Sequence, residues 1–144
     1  IPSEIQCLEK LKFMDFTQNQ LTGKIPEALF ELTNMSHLDL KANILTGTIP
    51  DEFDQLTDLN KLYLGENNLS GSLPESLGEI PMSEVEIISL YGNKLTGSIP
   101  DNWCGGLTKL TYLDLADNAL TGTVSLDCCG IILVVDPLPT PACG

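Results

Sequence analysis

Few residues in this sequence have the types and spacing that acid–base or metal chemistry requires. The chain contains one histidine, His37, and only Asp15 and Asp39 are candidates to lie near it. A general base or a metal site needs several such groups at one point, and nothing here gathers the six or more oxygen ligands of a divalent cation. We therefore predict no catalytic residues, no metal and no cofactor, and expect that the protein is not an enzyme.

The composition narrows the choice of partners. The chain has 144 residues, 20 of them acidic and 7 basic, which gives a formal net charge of -13. Nucleic acid is a poor partner because phosphate binding relies on clusters of Arg and Lys. A protein or peptide, with a cationic one favoured, or a carbohydrate is compatible with this charge. The longest apolar run, residues 131–135, is far shorter than the roughly 18 residues of a membrane-spanning helix, so no span is predicted in this segment.

A short motif with the form Leu-Thr/Ser-Gly-x-Ile/Leu-Pro recurs along the chain. Its copies begin at Leu21, Leu45, Leu69 and Leu95, and a fifth copy without the proline begins at Leu120. An asparagine precedes each copy by two residues, at Asn19, Asn43, Asn67, Asn93 and Asn118, with spacings of 24, 24, 26 and 25 residues. A fixed period of this length indicates a solenoid of stacked coils.

Apolar residues stand three, five, eight and eleven positions before each asparagine. The alternation of the last pair predicts one short strand per coil, followed by the asparagine turn and a return through a short helical or irregular arc. The asparagine amide can both donate to and accept from the backbone, so we interpret it as structural. The strands are predicted to centre near Asp15, Asp39, Tyr63, Ser89 and Asp114, and Leu40, Leu64, Leu90 and Leu115 to be buried.

This pattern closely resembles the plant-type leucine-rich repeat over residues 1 to about 124. The resemblance implies an α/β solenoid, a right-handed superhelix of about five repeats of about 24 residues with a parallel β-sheet on its concave face. The family includes ectodomains of receptor-like kinases, polygalacturonase-inhibiting proteins and secreted algal and diatom proteins, and its shared activity is recognition of proteins or peptides. Residues 1–5 match the second half of a coil, so we expect the chain to start in mid-repeat without an N-terminal cap.

The outward positions of the predicted strands are the candidate partner-binding site. All three tyrosines of the chain fall there. The alternative explanation is that tyrosine occurs at these positions simply because it is favoured in strands. Exposed aromatic residues beside charged ones are typical of binding surfaces. The predicted partner-binding residues are Phe13, Asp15, His37, Asp39, Tyr63, Tyr91, Tyr112 and Asp114.

Two other functions are compatible with the repeat. We expect the recognition module to be part of a larger extracellular or lumenal protein or assembly, and one alternative is that the repeat scaffold serves as a structural or assembly subunit. Another alternative is ice or carbohydrate binding. Hydroxyl side chains stack in two rows along the return path, and regular rows of this kind are typical of the binding face of ice-binding solenoids. The second row contains Thr48, Ser72, Ser98 and Thr123, which the repeat pattern does not itself demand.

The cysteines concentrate near the C-terminus. Cys104 and Cys129 each lie eleven residues after their asparagine, so stacking places them in the same slot on adjacent coils, close to the Cα separation of a disulfide. Cys128 would then pair with Cys143, and Cys7 would be free or paired with material upstream. We divide the chain into a solenoid, residues 1–126, and a Cys/Pro-rich cap or stalk, residues 127–144, in which residues 131–135 cover the leucine column.

Because disulfides persist in oxidising surroundings, the predicted pairs indicate an extracellular location, the cell surface or another oxidising lumen. The sequons at Asn34 and Asn68 agree with such a location and are candidate glycosylation sites.

We predict that peptide mapping of never-reduced protein recovers Cys104 joined to Cys129, with the Cys128–Cys143 pair less complete because the prolines of the tail restrict its return. Recovery of Cys104 as a free thiol would contradict the pairing and remove the main support for the oxidising location.

Overall fold

The structure is a computed structural model that describes residues 1–79, 84–124 and 130–135, with the side chain of Cys104 excepted. Successive coils contribute parallel strands in chain order to two sheets. The main sheet contains β1 (Phe13–Asp15), β3 (His37–Asp39), β5 (Lys61–Tyr63), β7 (Ile87–Ser89), β9 (Tyr112–Asp114) and β11 (Ile132–Val134). The second sheet contains β2 (Thr22–Gly23), β4 (Ile44–Gly47), β6 (Asn68–Gly71), β8 (Lys94–Gly97) and β10 (Ala119–Leu120).

The asparagine register predicts the main sheet correctly, with a shift of one residue. The five predicted strands end at Asp15, Asp39, Tyr63, Ser89 and Asp114 and centre one residue earlier. In the second to fifth coils the leucine that follows the end residue points into the core, and Leu40, Leu64, Leu90 and Leu115 are between 0% and 1% exposed. The α/β solenoid with a parallel sheet is therefore confirmed.

The second sheet is a finding that the repeat pattern did not predict. The Thr-Gly segments were interpreted only as a return path, yet they pair in parallel from coil to coil, as in Thr46 opposite Asn68. Pairing ends at the glycine, because Gly47 and Gly71 both have φ of +85°, a left-handed conformation that glycine adopts without steric cost. The coils are thus joined by backbone hydrogen bonds on two sides.

The rest of each coil is a short helix that returns the chain to the next strand. The helices are 3₁₀ helices at Ser3–Cys7, Glu27–Glu31, Asp51–Gln55 and Glu75–Glu79, and an α-helix, α1, at Asp101–Gly106. Prolines such as Pro50, with φ of -67°, precede them because their fixed φ suits the entry to a helix. Trp103 of α1 is fully buried, and its indole Nε1 donates to the carbonyl of Pro74 in the preceding coil at 2.8 Å.

The recurring asparagines hold adjacent coils together. The Nδ2 of Asn67 donates to the carbonyls of Leu40, Leu64 and Gly65 at 3.0–3.1 Å, and its Oδ1 accepts from the amide of Leu45 at 3.0 Å. Leu40 and Leu45 belong to the preceding coil, so one side chain satisfies backbone groups of two coils. Asn43 and Asn93 make the same set of contacts, and all three are 8% exposed.

The C-terminal strand continues the sheet. Residues 131–135 contain β11, which pairs in parallel with β9 and places Leu133 opposite Leu113. Leu133 packs against the core, whereas Ile132 is 64% exposed. Cys128, Cys129 and Cys143 lie outside the described residues, as does the side chain of Cys104, so the two disulfides and the proposed C-terminal region remain predictions. Among the described residues Cys7 is an exposed free cysteine.

We predict that Asn67→Ala lowers the free energy of unfolding by about 3 kcal/mol or more. The substitution leaves several buried backbone groups without a partner, and each costs about 1–3 kcal/mol. Urea unfolding followed by circular dichroism measures the loss.

The matched control is Asn19→Ala, because the exposed Asn19 occupies the same position in the first coil and donates only to Phe16 and Thr17 of that coil. A loss at Asn67 no larger than the loss at Asn19 would contradict the structural role.

Candidate functional site

The candidate site is the outward side of the main sheet, which we call the strand face. It consists of four positions in each coil. These are the first and last residues of the three-residue strand, and the second and third residues after the strand ends. The central residue of each strand points into the core, as Leu38 and Leu62 do with 0% exposure. All the predicted partner-binding residues lie on the strand face: Phe13, Asp15, His37, Asp39, Tyr63, Tyr91, Tyr112 and Asp114.

Three rings from successive coils form an aromatic row on this face. Phe13 and His37 stack with ring centroids 4.2 Å apart and planes inclined by 15°. His37 and Tyr63 follow at 5.5 Å with a tilt of 46°. Phe13 is 59% exposed, so the row presents an apolar edge to solvent. The stacked strand register, which places Phe13 opposite His37, brings these rings together.

The aspartates of the strand face also have a structural role that the sequence interpretation missed. The Oδ1 of Asp15 accepts a hydrogen bond from the amide of Thr17, and Asp39 and Asp114 accept in the same way from the amide two residues ahead, at 2.9–3.2 Å. This side-chain turn stabilises the chain where it leaves the strand. Hydrogen bonding from Thr17 lowers the pKa of Asp15, with a smaller contribution from His37.

Tyr91 is held by residues that the sequence interpretation did not select. Its ring lies across Gly65 of the preceding coil, where a Cβ atom would come within 2.7 Å of the ring. The Nζ of Lys41, one coil further back, lies 5.3 Å from the ring centroid and 3.7 Å from Glu66 Oε2. The Tyr91 side chain is the main cause of a raised pKa at Lys41. A glycine one coil before a tyrosine at the same register is the signal in the sequence for this contact.

Tyr112 and Asp114 form a polar pair at the other end of the face. The hydroxyl of Tyr112 donates to Asp114 Oδ2 at 3.2 Å. Burial, followed by the Asp114 carboxylate, raises the pKa of Tyr112, and smaller contributions come from the phenols of Tyr91 and Tyr63. Burial, followed by Asp39, raises the pKa of Tyr63. The strand register places Tyr63 and Tyr112 on the two strands that flank β7, and Tyr91 follows β7 by two residues.

The strand face offers no constellation for acid–base or metal chemistry in the described part of the chain. His37 contacts rings on both sides, and no hydrogen bond joins it to Asp15 or Asp39 within those residues. Across residues 1–79, 84–124 and 130–135, no three His, Cys, Asp or Glu side chains group so as to hold a metal ion. Among the same residues, no helix has the length and apolar character to cross a membrane.

The remaining candidates lie away from the strand face. Asn34 is exposed, and its Nδ2, the atom that carries a glycan, donates to the carbonyl of Glu9 at 2.9 Å. Asn68 is half-buried in β6. The hydroxyl rows run along the second sheet, where Ser70 and Thr96 donate to carbonyls of the preceding coil at 3.4 Å.

Comparison with known proteins agrees with this architecture. The family model described as Leucine Rich Repeat matches residues 10–32, 34–56, 58–80, 84–105 and 109–133. The chain belongs to the leucine-rich repeat family. Its five matched repeats correspond to the five coils that the asparagine register predicts. Among curated proteins, none matches the chain in sequence.

Solved structures similar to this leucine-rich repeat chain are ectodomains of plant receptors. The peptide hormone receptor RGFR1 in complex with RGF2 is 33% identical with a TM-score of 0.86, over 94% of this chain and 23% of the receptor. The Arabidopsis thaliana receptor kinase GASSHO1/SCHENGEN3, in complex with CASPARIAN STRIP INTEGRITY FACTOR 2, is 33% identical with a TM-score of 0.85, over 93% of this chain. The chain spans only 16% of that second receptor.

The Arabidopsis receptor kinase HAESA, solved with an IDA peptide hormone ligand, is 30% identical with a TM-score of 0.83. The match covers 90% of this chain and 21% of HAESA. The recognition of the chain as a plant-type leucine-rich repeat protein is thus confirmed.

We predict that Gly65→Ala displaces the Tyr91 ring and lowers the free energy of unfolding by about 1–3 kcal/mol, as overpacking commonly does. In a Tyr91→Ala background the same substitution should cost much less, because the ring that it meets is gone. A double-mutant cycle in urea unfolding measures this coupling. Additive losses would show that the ring does not rest on Gly65.

Proposed function

We propose that the chain is a recognition module that binds an extended segment of a protein or peptide across its strand face. The observation that supports this most directly is the group of half-exposed rings on that face, above all Tyr63, Tyr91 and Tyr112. Tyrosine is enriched among the residues that dominate binding energy at interfaces, because it combines a large apolar ring with a hydroxyl.

The relatives support the same proposal. RGFR1, GASSHO1/SCHENGEN3 and HAESA are each described in complex with a hormone or factor. These descriptions name bound partners, so they support a binding role for the chain rather than a catalytic one. The GASSHO1/SCHENGEN3 structure is of the ectodomain of a membrane receptor kinase. We infer by this likeness an extracellular or cell-surface location for the chain as well.

The charges of the molecule favour a basic partner. Acidic residues outnumber basic ones by 20 to 7 over the whole chain. On the strand face, Asp15, Asp39 and Asp114 outnumber the lysines Lys41 and Lys61, and Lys41 is already engaged by Glu66 and Tyr91. Complementary charge of this kind speeds encounter and selects among partners.

The hydroxyl rows of the second sheet give weaker support to ice or carbohydrate binding. The hydroxyls of Ser70, Thr96 and Thr121 donate to backbone carbonyls of the neighbouring coil. Their protons are therefore engaged within the sheet. The first coil also breaks the outer row with Lys24, which adds a charge where a regular hydroxyl lattice would need a threonine.

We predict that peptides selected from a random display library on the intact protein bind the Tyr63→Ala/Tyr91→Ala double variant at least about tenfold more weakly, a loss of about 1.4 kcal/mol. Isothermal titration or surface plasmon resonance with the enriched peptides measures the ratio.

The matched control is Thr48→Ala/Ser98→Ala, which removes two exposed side chains from the outer hydroxyl row. Thermal unfolding of both double variants shows that each remains folded. Selection that enriches no peptide, or peptides that bind the tyrosine variant as tightly as the wild type, would contradict the proposal. Loss of binding in the Thr48/Ser98 variant alone would move the site to the second sheet.

A further inference from the structure

One polar side chain on the strand face is buried and lacks a partner. Ser89 ends β7 and is 6% exposed, although its alternation with the buried Ile88 places it on the outward side. Its hydroxyl makes no hydrogen bond to any described residue, in contrast to the aspartates at the same position of other coils. Among the described residues, the one side-chain oxygen or nitrogen that is both shut off from solvent and without a hydrogen-bond partner is Asn102 Oδ1. The unpartnered oxygen of Ser89 therefore still reaches solvent.

Three tyrosines occupy strand-face positions next to this serine in the register, and we call the group the tyrosine cage: Tyr63, Tyr91 and Tyr112 with Ser89. The strand register places Tyr63 directly opposite Ser89 on one side and Asp114 on the other. Adjacent strands lie about 4.8 Å apart, and the diagonal neighbour Tyr112 is within roughly 7–8 Å. Ser89 is therefore a small outward side chain with larger ones at the neighbouring positions of the register.

The cage combines aromatic rings with negative charge. Asp114 accepts from Ala116 through Oδ1 and from Tyr112 through Oδ2, which fixes the carboxylate beside the ring of Tyr112 without neutralising it. Asp39 lies opposite Tyr63 in the neighbouring strand. The nearest cations are Lys61, opposite Ile87, and Lys41, which Glu66 and the Tyr91 ring already engage.

Lys41 provides an example, within the chain, of a cation held against a ring of this surface. Its ammonium group lies over the ring of Tyr91 at 5.3 Å, the geometry of a cation–π contact. The rings of Tyr63 and Tyr112 have the same negative faces, and among the described residues no cation lies over either of them. A cation placed there would meet rings, the carboxylate of Asp114 and a free hydroxyl acceptor at once.

We propose that the tyrosine cage binds a Lys or Arg side chain of the ligand, with its cationic group against Tyr63 and Tyr112, Asp114 as the counter-charge and the Ser89 hydroxyl as a hydrogen-bond acceptor. This inference rests on the proposed function, since it names the residue type that the strand face selects in an extended peptide. It also assigns Ser89 and Asp114 different roles from the aspartates at the same position in the first two coils.

The experiment uses two blocked tripeptides in which lysine or its neutral isostere norleucine stands between glycines. Amide shifts of isotope-labelled protein are followed on titration. We expect the lysine peptide to shift residues 61–63, 87–91 and 112–114 and to bind roughly fivefold or more tightly than the norleucine peptide. Asp114→Asn should remove this preference while keeping the hydrogen bond to Ala116, because its side-chain oxygen still accepts.

Asp58→Asn is the matched control, because it removes the same charge from an exposed residue that lies before β5 and outside the strand face. Its lysine preference should equal that of the wild type. Equal binding of the two tripeptides, no binding of the lysine peptide, or equal effects of the two substitutions would overturn the proposal. A methyl glucoside that shifts the cage residues more strongly than the lysine peptide would overturn it in favour of a sugar.

The two proposals fail in different ways. If display-selected peptides require Tyr63 and Tyr91 but carry no preference for lysine or arginine and bind Asp114→Asn normally, the recognition function stands and the cation pocket does not. If the selected peptides bind independently of both tyrosines, the strand face itself is not the site.

Discussion

The stacked asparagines are the constraint on which the rest of this molecule depends. At the end of each strand the chain must turn while its backbone groups are covered by the next coil, and a buried polar group without a partner costs about 1–3 kcal/mol. The amide of Asn67 meets this demand for two coils at once, through contacts to Leu40, Leu45 and Leu64. Because the same bond set recurs at Asn43 and Asn93, every coil takes the same position relative to its neighbour.

This fixed stacking carries local strain and also creates the strand face. The residue before each asparagine adopts a left-handed conformation, with φ of +53° to +55° at Gln18, Ala42, Glu66 and Asp117. Such a conformation is costly for residues other than glycine, and inter-coil hydrogen bonds such as Glu66 to Tyr91 at 2.8 Å hold it. The turn limits each strand to three residues. Side chains from different coils therefore meet by register, as Phe13, His37 and Tyr63 do.

The repeat period in the sequence is enough to predict the strands and the buried leucines. It does not predict the contacts that depend on how side chains of neighbouring coils pack. The asparagine register correctly placed the strands and the buried leucines, because a one-residue slip would have exposed Leu64 or Leu90. It did not predict the second sheet, since each of these segments buries no more than one residue, such as Leu45 or Leu69, and therefore shows no pair of alternating apolar positions. Nor did it single out Lys41 or Gly65, because their roles appear only when Tyr91 lies across the neighbouring coil.

The last residues of the main-sheet strands distinguish positions that the fold requires from positions that are available for binding. Asp15, Asp39 and Asp114 each use Oδ1 to bind the amide two residues ahead, so aspartate is the residue that the turn favours there. The third and fourth coils have Tyr63 and Ser89 instead and give up this bond, and the Ser89 hydroxyl does not replace it. Departures from a local rule without a gain for the fold are expected at functional positions. These two coils lie side by side, and their departures place Tyr63 next to the small side chain of Ser89, with Tyr91 and Tyr112 at neighbouring positions of the strand face. The scaffold does not require that arrangement, which is the reason to assign it to a ligand.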